Sequence, residues 1–345
     1  MKNTSYLLYK LLITTIVLTL FIVFCKKKPE IAKIEYAESI KPITLKDKAL
    51  PSFRVNYEKD LNRESILKMA KQLSEISGKP LNFKNLTDMK NGSMILRNEK
   101  DPSALFKMDT RSGSFIYNIG LAEYKKEAST PNLITGDKAK SIALEHLKKL
   151  GLLPNNKEEF NLVHTGGLNM AVIKEGEDKT KIYNKLVTIR YNRILSGLPV
   201  MGASRIIVNM GTNGKLVGLI YDWGEVDEGR KIEPEKLLSD KEIKSTLEGR
   251  LKEGAKGAKR IIVEKADLVL YDDGEGYIEP AYYVQTRLFY ESPQEKEGEI
   301  LKYDVPYDYY IPVLKKPMAI YPYMEKAEIQ PTDKRGVEIV PESDE

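Results

Sequence analysis

The sequence predicts an α+β fold in which three tandem units each lay an amphipathic helix across an antiparallel sheet. Three observations predict it. The stretch Asn184–Trp223 reads as three consecutive antiparallel strands with two turns between them. An apolar stripe at helical spacing precedes a group of strand-like runs, and that order recurs three times along the chain. A helix packed on one face of a sheet lets each such unit bury both apolar sides.

Residues 1–25 stand outside this pattern. Lys2 and Lys10 precede the uncharged, mostly apolar run Leu11–Cys25, whose 15 residues suit a signal segment and fall short of a span of roughly 20. The run ends on Cys25, the only cysteine, followed by Lys26-Lys27-Lys28. This resembles a bacterial lipoprotein signal, which implies lipidation of Cys25 and an extracytoplasmic address, periplasmic or cell-surface. An uncleaved helical anchor over Tyr6–Cys25 is the alternative. Residues 26–52, charged and proline-bearing without a sustained period, predict a tether.

The first unit spans 53–128. Ile66, Met69, Ala70, Leu73 and Ile76 mark a helix over Asn62–Ser77 that Gly78 and Pro80 end. Runs at Ser93–Arg97, Ala104–Met108 and Ser114–Ile119 predict a meander. The second unit spans 132–231. Thr135 is the expected N-cap of a helix lined by Ala139, Ile142, Ala143, Leu147 and Leu150, with Gly151 after it. Short strands are expected at Asn161–Thr165 and Met170–Lys174. Val187, Ile189 and Tyr191 then alternate with Thr188, Arg190 and Asn192, Gly197-Leu198-Pro199 turns the chain, and Ser204–Met210 returns it. Asn213-Gly214 is the strongest hairpin signal, because both residues tolerate positive φ, and Lys215–Trp223 completes the set. The third unit, 232–316, places Ile243, Leu247 and Leu251 on a helix before strands at Arg260–Tyr271, Tyr277–Tyr290 and Glu299–Val313. Residues 317–345 predict a loose tail.

Composition excludes several classes. With 55 basic against 50 acidic residues and no long basic stripe, nucleic-acid binding has no electrostatic basis. One cysteine rules out an intrachain disulfide or a CxxC site, and two histidines leave little for zinc.

The motifs Val187-Thr188-Ile189-Arg190-Tyr191, Gly197-Leu198-Pro199-Val200-Met201-Gly202-Ala203, Val208-Asn209 and Gly214-Lys215-Leu216-Val217 resemble the propeptide domains of thermolysin-type metalloproteases, the PepSY and FTP families. Ala266–Tyr271 followed by Ile278–Tyr282 is similar to the strand pair that follows in PepSY-bearing extracellular proteins. The resemblance covers about 135–316 and is closest at 184–223. It implies tandem cystatin-like units and a role beside a secreted protease, as its inhibitor or chaperone. No H-E-x-x-H is present, so the chain is expected to be non-catalytic, with no cofactor and no metal. A second resemblance, to the membrane-anchored accessory proteins of the YycG sensor kinase, implies a signalling partner instead. A surface lipoprotein with a structural role is the third alternative.

Candidate chemistry is sparse. His146 is expected at the edge of a helix core with one hydrogen bond, and His164 likewise has no suggested partner. Asp272, Asp273, Glu275 and Glu279 crowd one hairpin but lack EF-hand spacing, so a solvated acidic turn is expected. Gly274-x-Gly276 and Gly211–Lys215 lack the rest of a nucleotide-binding loop. Tyr303, Tyr307, Tyr309, Tyr310, Tyr321 and Tyr323 are expected to cover the last sheet and pin the tail, and Trp223 to be core. The expected activity is protein binding, with no residue named for the contact.

Overall fold

A computed structural model describes residues 32–40, 43–45, 50–56, 59, 61–79, 86–87, 92–98, 101, 103–119, 124, 131–172, 181–293 and 300–322. The signal segment with Cys25, and Tyr323 with the rest of the tail, lie outside them. In chain order the elements are β1 (Lys33–Tyr36), β2 (Pro51–Arg54), α1 (Arg63–Ser77), β3 (Leu86–Thr87), β4 (Ser93–Arg97), β5 (Leu105–Asp109), β6 (Phe115–Asn118), α2 (Gly136–Lys149), β7 (Phe160–Val172), β8 (Lys181–Leu195), β9 (Leu198–Gly202), β10 (Arg205–Met210), β11 (Leu216–Asp222), β12 (Arg230–Lys231), α3 (Asp240–Gly254), β13 (Arg260–Asp272), β14 (Tyr277–Pro293) and β15 (Ile300–Pro312). The described residues of 46–238, 268–282 and 312–345 form one compact unit, and those of 1–45, 239–267 and 283–311 another.

In the larger unit both helices start and stop where local chemistry dictates. The Asn62 side chain accepts the Ser65 N–H at the start of α1, and Gly78 ends it at φ 67°. Thr135 holds the N-cap position of α2 but its side chain makes no cap bond. The antiparallel sheet runs β7-β8-β10-β11-β6-β5-β4-β3. One core joins Ile66, Ala70 and Leu73 of α1 and Ala139, Ala143 and Leu147 of α2 to Phe106, Tyr117, Ile189, Ile206 and Leu219 of the sheet. Each fully buried side chain of this size contributes about 1.5–3 kcal/mol. The Asn213-Gly214 turn takes φ 56° and 78°, which fixes β10 against β11. The Gly197–Gly202 corner forms β9, which runs antiparallel to the end of β8 and parallel to the end of β13. At Gly202, with φ 99°, a Cβ would stand 2.2 Å from the Asp272 carbonyl oxygen, so only glycine permits that approach.

In the smaller unit α3 opens with a capping box between Ser239 and Glu242 and buries Ile243, Leu247 and Leu251. Its sheet runs β1-β13-β14-β15, with β1 parallel to β13 from Lys33↔Arg260 to Tyr36↔Val263. Val284, Thr286 and Leu288 are buried on one face, while Arg287 on the other ion-pairs with Glu264 and Asp304.

The helix-then-strands order is present, but tandem cystatin-like units are not. Among the described residues the strands hydrogen-bond along one mixed sheet of 15 strands, with parallel pairs at β1–β13 and β9–β13. β6 and β11, which belong to two different helix-plus-strand groups, pair with each other, so two groups share one sheet and one core. Amphipathic spacing specifies which face is buried; it does not specify which edge a strand offers to its neighbour. The same limit hid β1 and β2 within the expected tether. Their partners stand far along the chain, so no local turn announces them. Asn161–Thr165 and Met170–Lys174, expected as separate strands, are joined across Gly166-Gly167 into β7, whose bounds stop at Val172.

Candidate functional site

A cavity of about 190 Å³ opens in the larger unit among three turns. The β5–β6 turn contributes Asp109, Arg111, Ser112 and Ser114, the end of β11 contributes Asp222 and Gly224, and the β13–β14 turn contributes Asp272, Gly274 and Glu275. Each carboxylate is held by groups its own turn or a neighbouring strand supplies. Asp109 Oδ1 accepts the N–H groups of Arg111 (2.8 Å) and Ser112 (3.0 Å), and its Oδ2 meets the Arg111 guanidinium at 3.2 Å. Asp222 Oδ1 accepts the Ser114 hydroxyl at 2.8 Å. Asp272 accepts the Ser204 hydroxyl at 2.5 Å and the Gly274 N–H at 2.9 Å.

These environments push the three acids apart. Burial raises Asp109, but hydrogen bonds from Ser112 and Arg111 outweigh it and hold the carboxyl below the usual range. Burial dominates at Asp222 and raises it against the pull of Ser114 and Arg205. Asp272 is pushed up to about 6, chiefly by burial, with Asp222 and Asp273 adding to the rise. Perturbed carboxyls in a cavity can hold or exchange a proton near neutrality. Here, however, each named acid also stitches a turn or strand to its neighbour. Among the described residues no group of three or more His, Cys, Asp or Glu side chains is arranged to hold a metal ion.

The acidic hairpin is not the solvated turn its composition predicts. Asp272 and Glu279 are both buried. Asp273 Oδ1 caps its own turn by accepting the N–H groups of Glu275, Gly276 and Tyr277. The other oxygen of Asp273 accepts Ile320 N–H at 2.9 Å, while Glu279 accepts those of Met318 and Ala319. Tyr321 is fully buried and stacks on Tyr271 at 4.7 Å. The first residues of the expected loose tail are therefore a bound strap, and the tyrosine pins it as expected.

Of the remaining candidates, His146 Nε2 lies 3.0 Å from the Gly214 carbonyl oxygen, the single bond expected of a core-edge histidine. The His164 ring covers Gly166 on β7. Trp223 is core, edge-on to Phe160 at 6.0 Å, with the Arg193 guanidinium over its ring. Tyr309 is buried against Gly254, where an added Cβ would stand 2.6 Å from its hydroxyl. Tyr310 packs at a tilt on Tyr283, whereas Tyr303 and Tyr307 are exposed. Sequence reasoning missed the ion pair of buried Arg193 with half-buried Glu159 (2.7 Å), in which the guanidinium also donates to the Gly224 carbonyl. It also missed the cavity, because its acids come from turns far apart in the chain.

A second region is an edge rather than a pocket. β7 pairs only with β8 among the described strands, and its 13 residues, Phe-Asn-Leu-Val-His-Thr-Gly-Gly-Leu-Asn-Met-Ala-Val, include no Asp, Glu, Lys, Arg or Pro. Leu162, Val163 and Leu168 are exposed on it. Bulges at Leu162/His164 and Leu168/Asn169 bracket a regular run from His164 to Leu168.

No protein-family model matches the chain, and no curated protein matches it. Among solved structures, an uncharacterized protein from Eubacterium rectale ATCC 33656 is similar at 13% identity and a TM-score of 0.39, over 81% of this chain and 89% of that one. A likeness that loose transfers neither fold nor activity.

Proposed function

We propose that this chain is a non-catalytic, extracytoplasmic protein, held at a membrane through residues 1–25, that binds an extended segment of another protein by strand addition to β7. The observation that carries the proposal is the composition of that edge. In a chain with 30% charged residues, a 13-residue edge strand without a charged side chain or proline lacks two of the usual devices that keep an edge single, and its bulges leave the regular run His164–Leu168 between them. Its free N–H and C=O groups can form a ladder with an incoming strand, and Leu162 and Leu168 give that strand apolar neighbours. In the cavity, Asp109, Asp222 and Asp272 each accept a hydrogen bond that ties a turn or strand to its neighbour. The resemblance to protease propeptides makes a secreted protease the partner class to try first.

The test uses detergent-solubilised full chain as bait for the host's secreted and membrane proteins. Capture of a protease, with inhibition of its activity, is the expected result. Leu162→Lys with Leu168→Lys should abolish it, while Leu144→Lys on the exposed side of α2 should not. Equal capture by the β7 variant would sink the strand-addition reading.

A further inference from the structure

The three helix-plus-strand groups finish their runs of longer strands at different edges. β6 follows α1 and the strands β4 and β5; β11 is the last long strand of the group after α2, followed only by the two-residue β12 before α3. The two pair antiparallel, edge to edge, with Phe115 opposite Tyr221 and Tyr117 opposite Leu219. Side chains on the helix side of this seam are sealed: Phe115 is 3%, Tyr117 1% and Leu219 1% exposed. β15 is the last strand of the group after α3, and among the described residues its only strand partner is β14.

The corresponding row on β15 is bare. Tyr290 of β14 stacks on Tyr303, and Tyr309 packs by Gly254 of α3, so odd-numbered residues of β15 face the helix side. Along that row Leu301 is 50%, Tyr303 45%, Val305 38% and Tyr307 49% exposed. The opposite face carries Lys302, Asp304 and Asp308, with Lys302 ion-paired to Glu291 at 3.5 Å, Asp304 bonded to Arg287 and Asp308 to Tyr283. A row of alternate apolar residues on an open edge is half of the arrangement that β6 and β11 complete.

We infer that β15 pairs antiparallel with β15 of a second copy of this chain, forming a twofold dimer with Tyr303 opposite its own counterpart. Charge selects both the occupant and the register. Centred on Tyr303, the pairing sets Lys302 opposite Asp304 twice, Leu301 opposite Val305, and Ile300 opposite Pro306. Centring one residue on would oppose Asp304 to itself, which is destabilising. Pro306, which has no N–H to give, then stands at the end of the seven-residue ladder from Ile300 to Pro306 instead of beside its centre. Antiparallel pairing about a twofold axis normal to the sheet keeps both α3 helices on one face, as α1 and α2 lie on one face of the β6–β11 seam. The apolar rows of the two copies then meet and cover one another.

The experiment uses the full chain in detergent with Cys25→Ser, so that any introduced thiol is the only one. Tyr303→Cys should cross-link to itself under mild oxidation, because directly opposed residues of an antiparallel pair are within disulfide reach. Val305→Cys, four positions from its own counterpart in this register, should not. Sedimentation should show the unmodified chain dimerising at micromolar concentration. Lys302→Glu should raise the dimer Kd at least tenfold, and Lys302→Glu with Asp304→Lys should restore it. A chain that stays monomeric at these concentrations overturns the inference. So does a Val305→Cys cross-link as abundant as that at Tyr303, or a dimer indifferent to Lys302→Glu. Circular dichroism of each variant separates loss of pairing from loss of fold. Capture of a partner at β7 is unaffected by any of these outcomes, so the two proposals fail separately.

Discussion

The β6–β11 seam and the β15 edge carry the same kind of strand in two conditions. Both belong to a helix-plus-strand group, and both alternate aromatic or aliphatic side chains toward a helix. At the seam a neighbouring strand seals Phe115 and Tyr117, whereas at the edge Leu301, Tyr303, Val305 and Tyr307 stay in contact with water. The difference teaches that apolar alternation on a strand records a demand for cover without naming what meets it. Within the larger unit the demand is met by another part of the chain.

Truncating one aromatic on each side should give the largest difference between seam and edge. Tyr117 is fully enclosed, and its hydroxyl donates to Ser77 Oγ at 2.8 Å and lies 3.3 Å from the Leu73 carbonyl. Tyr117→Ala removes that bond and opens a cavity, at a cost of about 3–5 kcal/mol, the scale for a buried aromatic. Tyr303→Ala in dilute protein should cost less than about 1 kcal/mol, since its ring is already half exposed. Urea unfolding of both variants measures the pair. Similar losses would mean that the edge is packed as firmly as the seam.

A second contrast concerns how each end is fastened. The larger unit closes on half-buried and buried acids, Ser114 to Asp222 and Ser204 to Asp272, while the β15 edge uses exposed ion pairs at Arg287. Burial raises Asp272 to about 6 in the folded chain, against an ordinary carboxyl value of 3.8. A carboxyl that holds its proton more tightly when folded favours the fold most below its unfolded value. The advantage is lost as pH climbs from about 4 through about 6 and beyond, by about 3 kcal/mol if the shift acts alone. Asp222 shifts in the same direction. Asp272→Asn should therefore flatten the decline in stability between pH 4 and 7, read as the difference between the two urea-unfolding profiles. An unchanged slope would show that another group dominates the titration.

What the sequence disclosed follows from the same distinction. Helix limits were legible because they rest on neighbours in the chain: Asn62 and Gly78 bound α1, and Ser239 with Glu242 opens α3. Strands at Ser93–Arg97 and around Ile206–Met210 were legible through period-two alternation. The pairing of β6 with β11, and the parallel contacts of β9 and β1 with β13, depend on edges meeting across long loops. Nothing in a local window encodes them. The same holds for the cavity, where Asp109, Asp222 and Asp272 are unremarkable turn residues until the three turns converge. Glu279 and Asp273 misled for a related reason. Their charge suggested solvent, but the backbone N–H groups of 318–320 satisfy them. The exposed acid-free edge of β7 was visible as a composition, yet it gains meaning only once β7 is known to be an edge.

The smallest of these effects tests whether the seam owes its register to a single turn. Asn213 has φ 56° and Gly214 φ 78°, and Gly211 N–H closes the hairpin on the Lys215 carbonyl at 2.9 Å. That closure sets which residues of β11 face the core and so which ones β6 meets, because a one-residue slip would turn every side chain to the other face. Asn213→Ala forces a Cβ-bearing residue without asparagine's tolerance into the left-handed region, and should cost about 1 kcal/mol. Asn213→Gly keeps the backbone freedom but loses the 2.8 Å bond that the Asn132 side chain donates to Asn213 Oδ1. It should stay close to the parent protein in thermal unfolding. If the glycine variant falls as far as the alanine variant, the Asn132 bond rather than the turn conformation holds this end of the seam. β15 has no such device at its free edge, and in the dimer its register would rest on Lys302, Asp304 and Pro306 alone.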